Sequence, residues 1–291
     1  ARFDAIKHNA LPLWGDAKLG IQQLDMKLSD WKASQEWKDL ANKESSKWNN
    51  YYDEITSIKS ISKTMDSLPT DAQVLGELKR NGKATDVVVC AAGSLPGELH
   101  KLWRTEQTGG YHAEYGFSCM GYEIAGGLGV KMAEPEREVI VLVGDGSYLM
   151  LNSELATSVM LGQKIIVVVL DNRGFSCINR LQNATGNRSF NNLLKDCESI
   201  DDGHPNVNFA LHAQSLGANS EHIENINELA SALERARLSS KSYLISLVTD
   251  SHKISPEGGC WWEVAVPEVS SNKNGDEVYN SYKKGKKQQP Y

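Results

Sequence analysis

No apolar run in this chain is long enough to cross a bilayer; the longest, residues 165–170, has the length of one buried strand. Neither a membrane partner nor a secretory signal is therefore expected. Cysteine is scarce and odd in number, five residues without a CxxC pair. That argues against a disulfide framework or a structural zinc site and predicts a reducing, cytoplasmic setting. The seven histidines do not fall at metal-ligand spacing, so no histidine-based metal centre is expected. Positive charge is not in excess either: 31 Lys and Arg face 37 Asp and Glu, a net −6, which excludes a general affinity for nucleic acid. The lysines at 283–287 are too few to change this and read as a solvated end. An initiator methionine is also missing; the chain opens at Ala1 in what reads as the middle of a passage, and we expect a fragment of something larger.

What remains is an ordinary balance for a globular protein, 40% hydrophobic and 23% charged over 291 residues. Residues 1–33 read as the end of a preceding domain. Residues 34–68 read as a helical connector whose aromatics, Trp37, Trp48, Tyr51 and Tyr52, are expected to pack along with Trp31. From 69 to 265 the pattern alternates. A helix capped by Asp71 is followed by a strand at 86–91, a helix at 97–103 and a Gly- and Tyr-rich loop. A small-residue helix at 118–133, a strand at 139–143, a helix at 153–161 and a strand at 165–171 come next. After a long Asn-rich loop come a helix from Asn208, a short strand near 217–220, a helix at 226–238 and a strand at 243–248. Residues 266–291 read as a tail. Such alternation predicts an α/β fold, a doubly wound and mostly parallel sheet with helices on both faces. Ligands of such sheets sit beyond the carboxyl ends of the strands, near a switch in strand order.

The chemistry is concentrated there. Gly144-Asp145-Gly146-Ser147 closes one apolar strand, and Asp171-Asn172-Arg173-Gly174 closes the next, with Asn172 lying 27 positions after Asp145. A carboxylate, an amide oxygen and a backbone carbonyl near Gly174 suit a hard cation such as Mg²⁺, which shares its shell with phosphates. Gly146 and Ser147 stand where a strand hands over to a helix, a place that favours a diphosphate. Ala91-Ala92-Gly93-Ser94 closes a third strand; Ser94 reads as a helix cap or as a phosphate donor, and the two are compatible. Taken alone, a Gly-Asp-Gly marks a turn more often than a cofactor site. The Ala125-Gly126-Gly127-Leu128-Gly129 run mimics a dinucleotide fingerprint but lies inside a helical pattern, which sets a nicotinamide-linked reading aside.

The Gly-Asp-Gly to Asn172 unit resembles the cofactor motif of thiamine-diphosphate-dependent enzymes, with Asp171 replacing the first of two asparagines. Residues 70–265 resemble the diphosphate-binding domain of the acetohydroxyacid-synthase-like group, and 1–33 the end of that group's central domain. The resemblance implies thiamine diphosphate and Mg²⁺ as cofactors, and Met120 as the apolar residue beneath the bent cofactor. It implies that Cys177 and Ile178, just past the metal loop, face the reactive carbon. Residues 185–192, 206–218 and the Gly258–Val264 stretch point to a member that hydrolyses a C–C bond of a cyclic dione, yielding a deoxy-glucuronate. A carboligase or decarboxylase of 2-oxo acids, or a non-catalytic fragment of the same fold, is the alternative. Members of the family also carry an activating glutamate on a separate pyrimidine-binding domain, in a homo-oligomer. That domain has no counterpart in the 291 residues, so the chain alone is expected to turn over little or no substrate.

Overall fold

A computed structural model describes residues 5–6, 9–58, 68–197, 206–256, 263–272 and 274–288. Its centre is a sheet of six strands: β1 Val87–Cys90, β2 Tyr111–Ala113, β3 Val139–Gly144, β4 Ile166–Asp171, β5 Asn219–His222 and β6 Tyr243–Val248, in the order β2-β1-β3-β4-β6-β5. All five pairings are parallel. Strands β1, β3 and β4 are apolar up to the Gly144 and Asp171 that end β3 and β4, as strands covered on both faces must be.

Alternation along those strands divides the core in two. Val88, Ile140, Leu142, Ile166, Val168 and Leu170 face one way. They meet helices α3 (Asp71–Arg80), α4 (Ser94–Leu102) and α10 (Leu229–Leu238) through Leu75, Leu78, Leu99 and Leu233. Val87, Val89, Val139, Val141, Val143 and Val167 face the other way, toward Ile124, Tyr148, Leu155 and Phe209. These belong to α5 (Tyr122–Ala133), α6 (Asp145–Met150), α7 (Glu154–Met160) and α9 (Phe209–Ser215). Helix α5 lies close on the sheet because Gly127 has no side chain; a Cβ there would stand 2.2 Å from Val141. The glycine run is thus a packing surface.

Several local expectations shift. Thr70, not Asp71, caps α3, because its hydroxyl takes the Gln73 N–H while the Gln73 side chain takes the Thr70 N–H. Helix α4 begins at Ser94, three residues earlier than the pattern suggested, and Ser94 is its first helical residue rather than its cap. The helix expected over 118–133 starts only at Tyr122, since Ser118 (φ 54°) and Gly121 (φ 92°) are left-handed. The short strand expected at 217–220 runs two residues later. Strand β2 and helix α8 (Ser176–Ala184) lie within stretches read as loop, and α11 (Gly275–Gln288) within the tail.

Helices α1 (Ala17–Lys27) and α2 (Gln35–Ile55) precede the sheet. Of the connector aromatics only Tyr52 is buried, under the Arg104 guanidinium 3.8 Å from its ring. Trp31, Trp37 and Trp48 are exposed, against the expectation that they pack, because α1 buries no residue and α2 only Tyr52.

Candidate active site

Strand order reverses between β1 and β3, and a cavity of about 320 Å³ opens at the carboxyl ends of β1, β3 and β4. That size suits a small-molecule site. Every residue singled out from sequence lines it: Gly93, Ser94, Met120, Asp145, Gly146, Ser147, Asn172, Gly174, Cys177 and Ile178.

Asp145 stands at the end of β3 and Asn172 just past the end of the neighbouring β4, where Gly144 pairs with Leu170. Both side chains are more than nine-tenths buried, yet Asp145 Oδ1 and Asn172 Oδ1 have no hydrogen-bond partner. Orphaned buried oxygens are rare in native proteins and call for a ligand, an ion or water. Two such oxygens in one cavity, one of them anionic, fit a hard cation. Burial, and after it the Asp171 carboxylate, push Asp145 up to about 7 against N–H donation from Gly174, Gly146 and Asn172. A bound cation would reverse that balance by favouring the charged form.

The loop beyond β4 is built around these oxygens. The Gly174 N–H donates to Asp145 Oδ2 at 2.8 Å. Gly174 has φ 134°, and a Cβ there would lie 2.4 Å from the Asn192 carbonyl oxygen. Asp171 accepts from the Arg173 N–H at 3.0 Å and pairs with its guanidinium at 3.3 Å, holding Arg173 at φ 62°. The carboxylate that replaces the expected asparagine therefore shapes the turn while Asn172 faces the cavity.

Two strand-to-helix turns border the cavity. Gly93, at φ 99°, precedes α4 without any side-chain cap, so the first N–H groups of that helix lack a side-chain partner. Gly146 leaves room for the Phe175 ring, which a Cβ would meet at 2.4 Å. The Ser147 hydroxyl is already committed: it donates to Glu123 at 2.8 Å and accepts the Gly121 N–H at 2.8 Å. What Ser147 offers a ligand is backbone, not hydroxyl. Met120 is half-buried in the wall, and Cys177 and Ile178 lie in the first turn of α8.

Sequence reasoning missed Asp71, Tyr115, Ser118, Phe175 and Leu181 in the cavity wall, and Glu123 behind it. Asp71 is buried with an unpartnered Oδ1; burial first, then the charge of Glu98, push it up to about 7. The signal for Glu123 was its position as the lone acid of a glycine-rich helix. The Trp261-Trp262 pair, read as part of a flap, lies outside the described residues.

Known proteins resemble this chain in sequence and in fold. The family described as thiamine pyrophosphate enzyme, C-terminal TPP binding domain, matches residues 91–247. The 3D-(3,5/4)-trihydroxycyclohexane-1,2-dione hydrolase of Clostridium tetani (strain Massachusetts / E88) is 36% identical over 96% of this chain and 47% of its own length. The protein of the same name from Bacillus licheniformis is 37% identical over 98% of this chain and again 47% of its own. This chain thus spans about half the length of the curated relatives it matches. Among solved structures, the Rhodococcus jostii RHA1 thiamine diphosphate-dependent 4-hydroxybenzoylformate decarboxylase superposes with a TM-score of 0.53. It covers 63% of this chain and 33% of its own at 17% identity, which is a likeness of fold. The chain belongs to the family of thiamine pyrophosphate enzymes, as their C-terminal TPP-binding domain.

Proposed function

We propose that this chain is the metal- and diphosphate-binding part of a thiamine-diphosphate- and Mg²⁺-dependent hydrolase that opens trihydroxycyclohexane-1,2-dione by C–C cleavage to 5-deoxy-glucuronate. The observation that carries the cofactor half of this reading is the pair of orphaned oxygens on Asp145 and Asn172. The substrate half rests on the names of relatives 36% and 37% identical over nearly the whole chain. In this reading Asp145 Oδ1, Asn172 Oδ1 and the Gly174 carbonyl hold the cation. The N–H groups at Gly93, Ser94, Gly146 and Ser147 take the phosphates. Met120 forms an apolar floor, and Cys177 and Ile178 face the substrate. Thiamine diphosphate, when bound, supplies the electron sink for breaking a C–C bond. The protein's own share is to fix charge and position around that group.

The same reading places the whole protein in myo-inositol catabolism, in the cytoplasm, as a homo-oligomer in which a pyrimidine-binding domain completes the site. Among the described residues, no helix is long and apolar enough to cross a membrane. Calorimetric titration of thiamine diphosphate with Mg²⁺ into the chain tests the cofactor half, with Asp145→Ala as control; binding that survives the substitution would refute the metal assignment. Product analysis on the full-length protein tests the substrate half. Ring-opened acid from the cyclic dione is expected, and turnover of pyruvate instead would favour a carboligase or decarboxylase.

A further inference from the structure

Glu123 is 1% exposed in the first turn of α5, and its carboxylate faces three separate walls of the cavity. It accepts the Ser147 hydroxyl at 2.8 Å on each oxygen, from the strand-to-helix turn after β3. The Gly121 N–H donates to it at 3.0 Å, from the left-handed residue directly after Met120. The Ala92 N–H, on the loop between β1 and α4, donates at 3.5 Å. Gly121 is shared between Glu123 and Ser147, whose oxygens lie 3.0 and 2.8 Å from its nitrogen. All three partners are donors, so the group functions as an acceptor with no second role to satisfy. A buried carboxylate is costly unless its hydrogen bonds are met, and here every bond goes to a segment that lines the cavity.

We propose that Glu123 is a positioning residue that locks the Ala92–Ser94 loop, the Met120 turn and the Ser147 turn into one rigid diphosphate cradle. The inference rests on the cofactor reading above and adds the group that holds the cradle together. It also explains why the Ser147 hydroxyl turns away from the phosphate space, since it is a link in the clamp rather than a phosphate donor. Separations of 24 residues to Ser147 and 31 to Ala92 mean that no local propensity could hold these segments in register. Helix α5 can serve as the anchor because it is pressed onto the sheet at Gly127.

The test is Glu123→Gln, which keeps the shape but presents an amide N–H where a donor now points. Thiamine diphosphate with Mg²⁺, and separately inorganic pyrophosphate with Mg²⁺, are titrated into both chains, and amide exchange is measured without ligand. Affinity for both probes should fall about ten-fold or more, the scale typical when the groups orienting a ligand shell are removed. Exchange should quicken at Ala92 and at 118–123 while β1 and β3 stay protected. Ser147→Ala should cost a similar amount, and the double variant little more than either single, because both act through one clamp. Unchanged affinity in Glu123→Gln would overturn the proposal. So would additive losses, or a loss accompanied by faster exchange throughout β1 and β3, which marks general destabilisation. If the unaltered chain binds neither probe, the half-site is not preformed in this chain by itself. Exchange alone then decides whether the clamp exists: selective quickening supports it and a uniform pattern refutes it.

Discussion

Replacing Gly174 with alanine should destabilise the chain through the loop that serves Asp145, and the cost can be built from two local terms. The first is conformational: φ is 134° at this position, a region that L-residues seldom adopt, worth roughly 1–3 kcal/mol. The second is steric. The new Cβ would stand 2.4 Å from the Asn192 carbonyl oxygen and 3.0 Å from the Leu193 Cα, both backbone atoms that cannot rotate aside. Relief requires moving the 173–175 segment off residues 192–194. Those segments are joined by the Phe175 N–H on the Asn192 carbonyl at 2.7 Å and the Leu194 N–H on the Arg173 carbonyl at 3.0 Å. Giving up one such bond adds about 1 kcal/mol. The sum is roughly 2–4 kcal/mol, or a fall of about 4–16 °C in melting temperature for a domain of this size. Gly129→Ala is the control. It lies exposed in α5 with nothing within 4 Å of a built Cβ, so it should stabilise by roughly 0.5–1 kcal/mol. Thermal unfolding followed by circular dichroism reads both. A Gly174→Ala melting temperature within two degrees or so of the parent would refute the steric argument, as would equal effects at the two glycines.

Three further outcomes are expected. Asp71 is held at about 7 in the folded chain against 3.8 in the free residue, so between those values the folded state keeps a proton that the unfolded state has released. Stability from this group is therefore fully present below about pH 4 and lost as pH rises to about 7; Asp71→Asn should flatten that fall, by up to about 4 kcal/mol. Urea midpoints at pH 4.5 and 8 test it, and a variant with the parent's pH slope would contradict it. Asp86 is buried and pairs with the partly buried Arg237, whose Nη1 lies 3.1 Å from Asp86 Oδ1, and Asp86→Ala removes the partner of that cation at a cost of roughly 1–3 kcal/mol. A double variant, Asp86→Ala with Arg237→Met, should recover part of that loss in the same unfolding assay. Gly127→Val drives α5 away from Val141 and should cost roughly 1–3 kcal/mol, together with the amide protection of Gly121 in hydrogen exchange.

The sequence by itself determined the α/β class, the apolar strands and the ends at which chemistry sits. Continuous runs such as residues 165–170, and a Gly-Asp-Gly spaced from Asn172, are local signals carried by consecutive residues. Asp145 and Asn172 were legible as cavity residues for that reason, whereas Met120 was reached only through the family resemblance. Only the tertiary structure decided what joins them. The β2-β1-β3-β4-β6-β5 order brings β3 and β4 together while opening the cavity beside β1, and no periodicity encodes a strand's neighbour. The start of α5 at Tyr122 was hidden because Ser118 takes a left-handed conformation that its side chain does not advertise. Trp31, Trp37 and Trp48 look like core residues in composition and stand exposed, since burial depends on what lies opposite. Glu123 escaped notice, and Asp71 was read only as a helix cap, for the same reason. Glu123 takes the Gly121 N–H from two residues away, but its Ser147 and Ala92 donors arrive from 24 and 31 residues away, and folding alone brings those within hydrogen-bond reach.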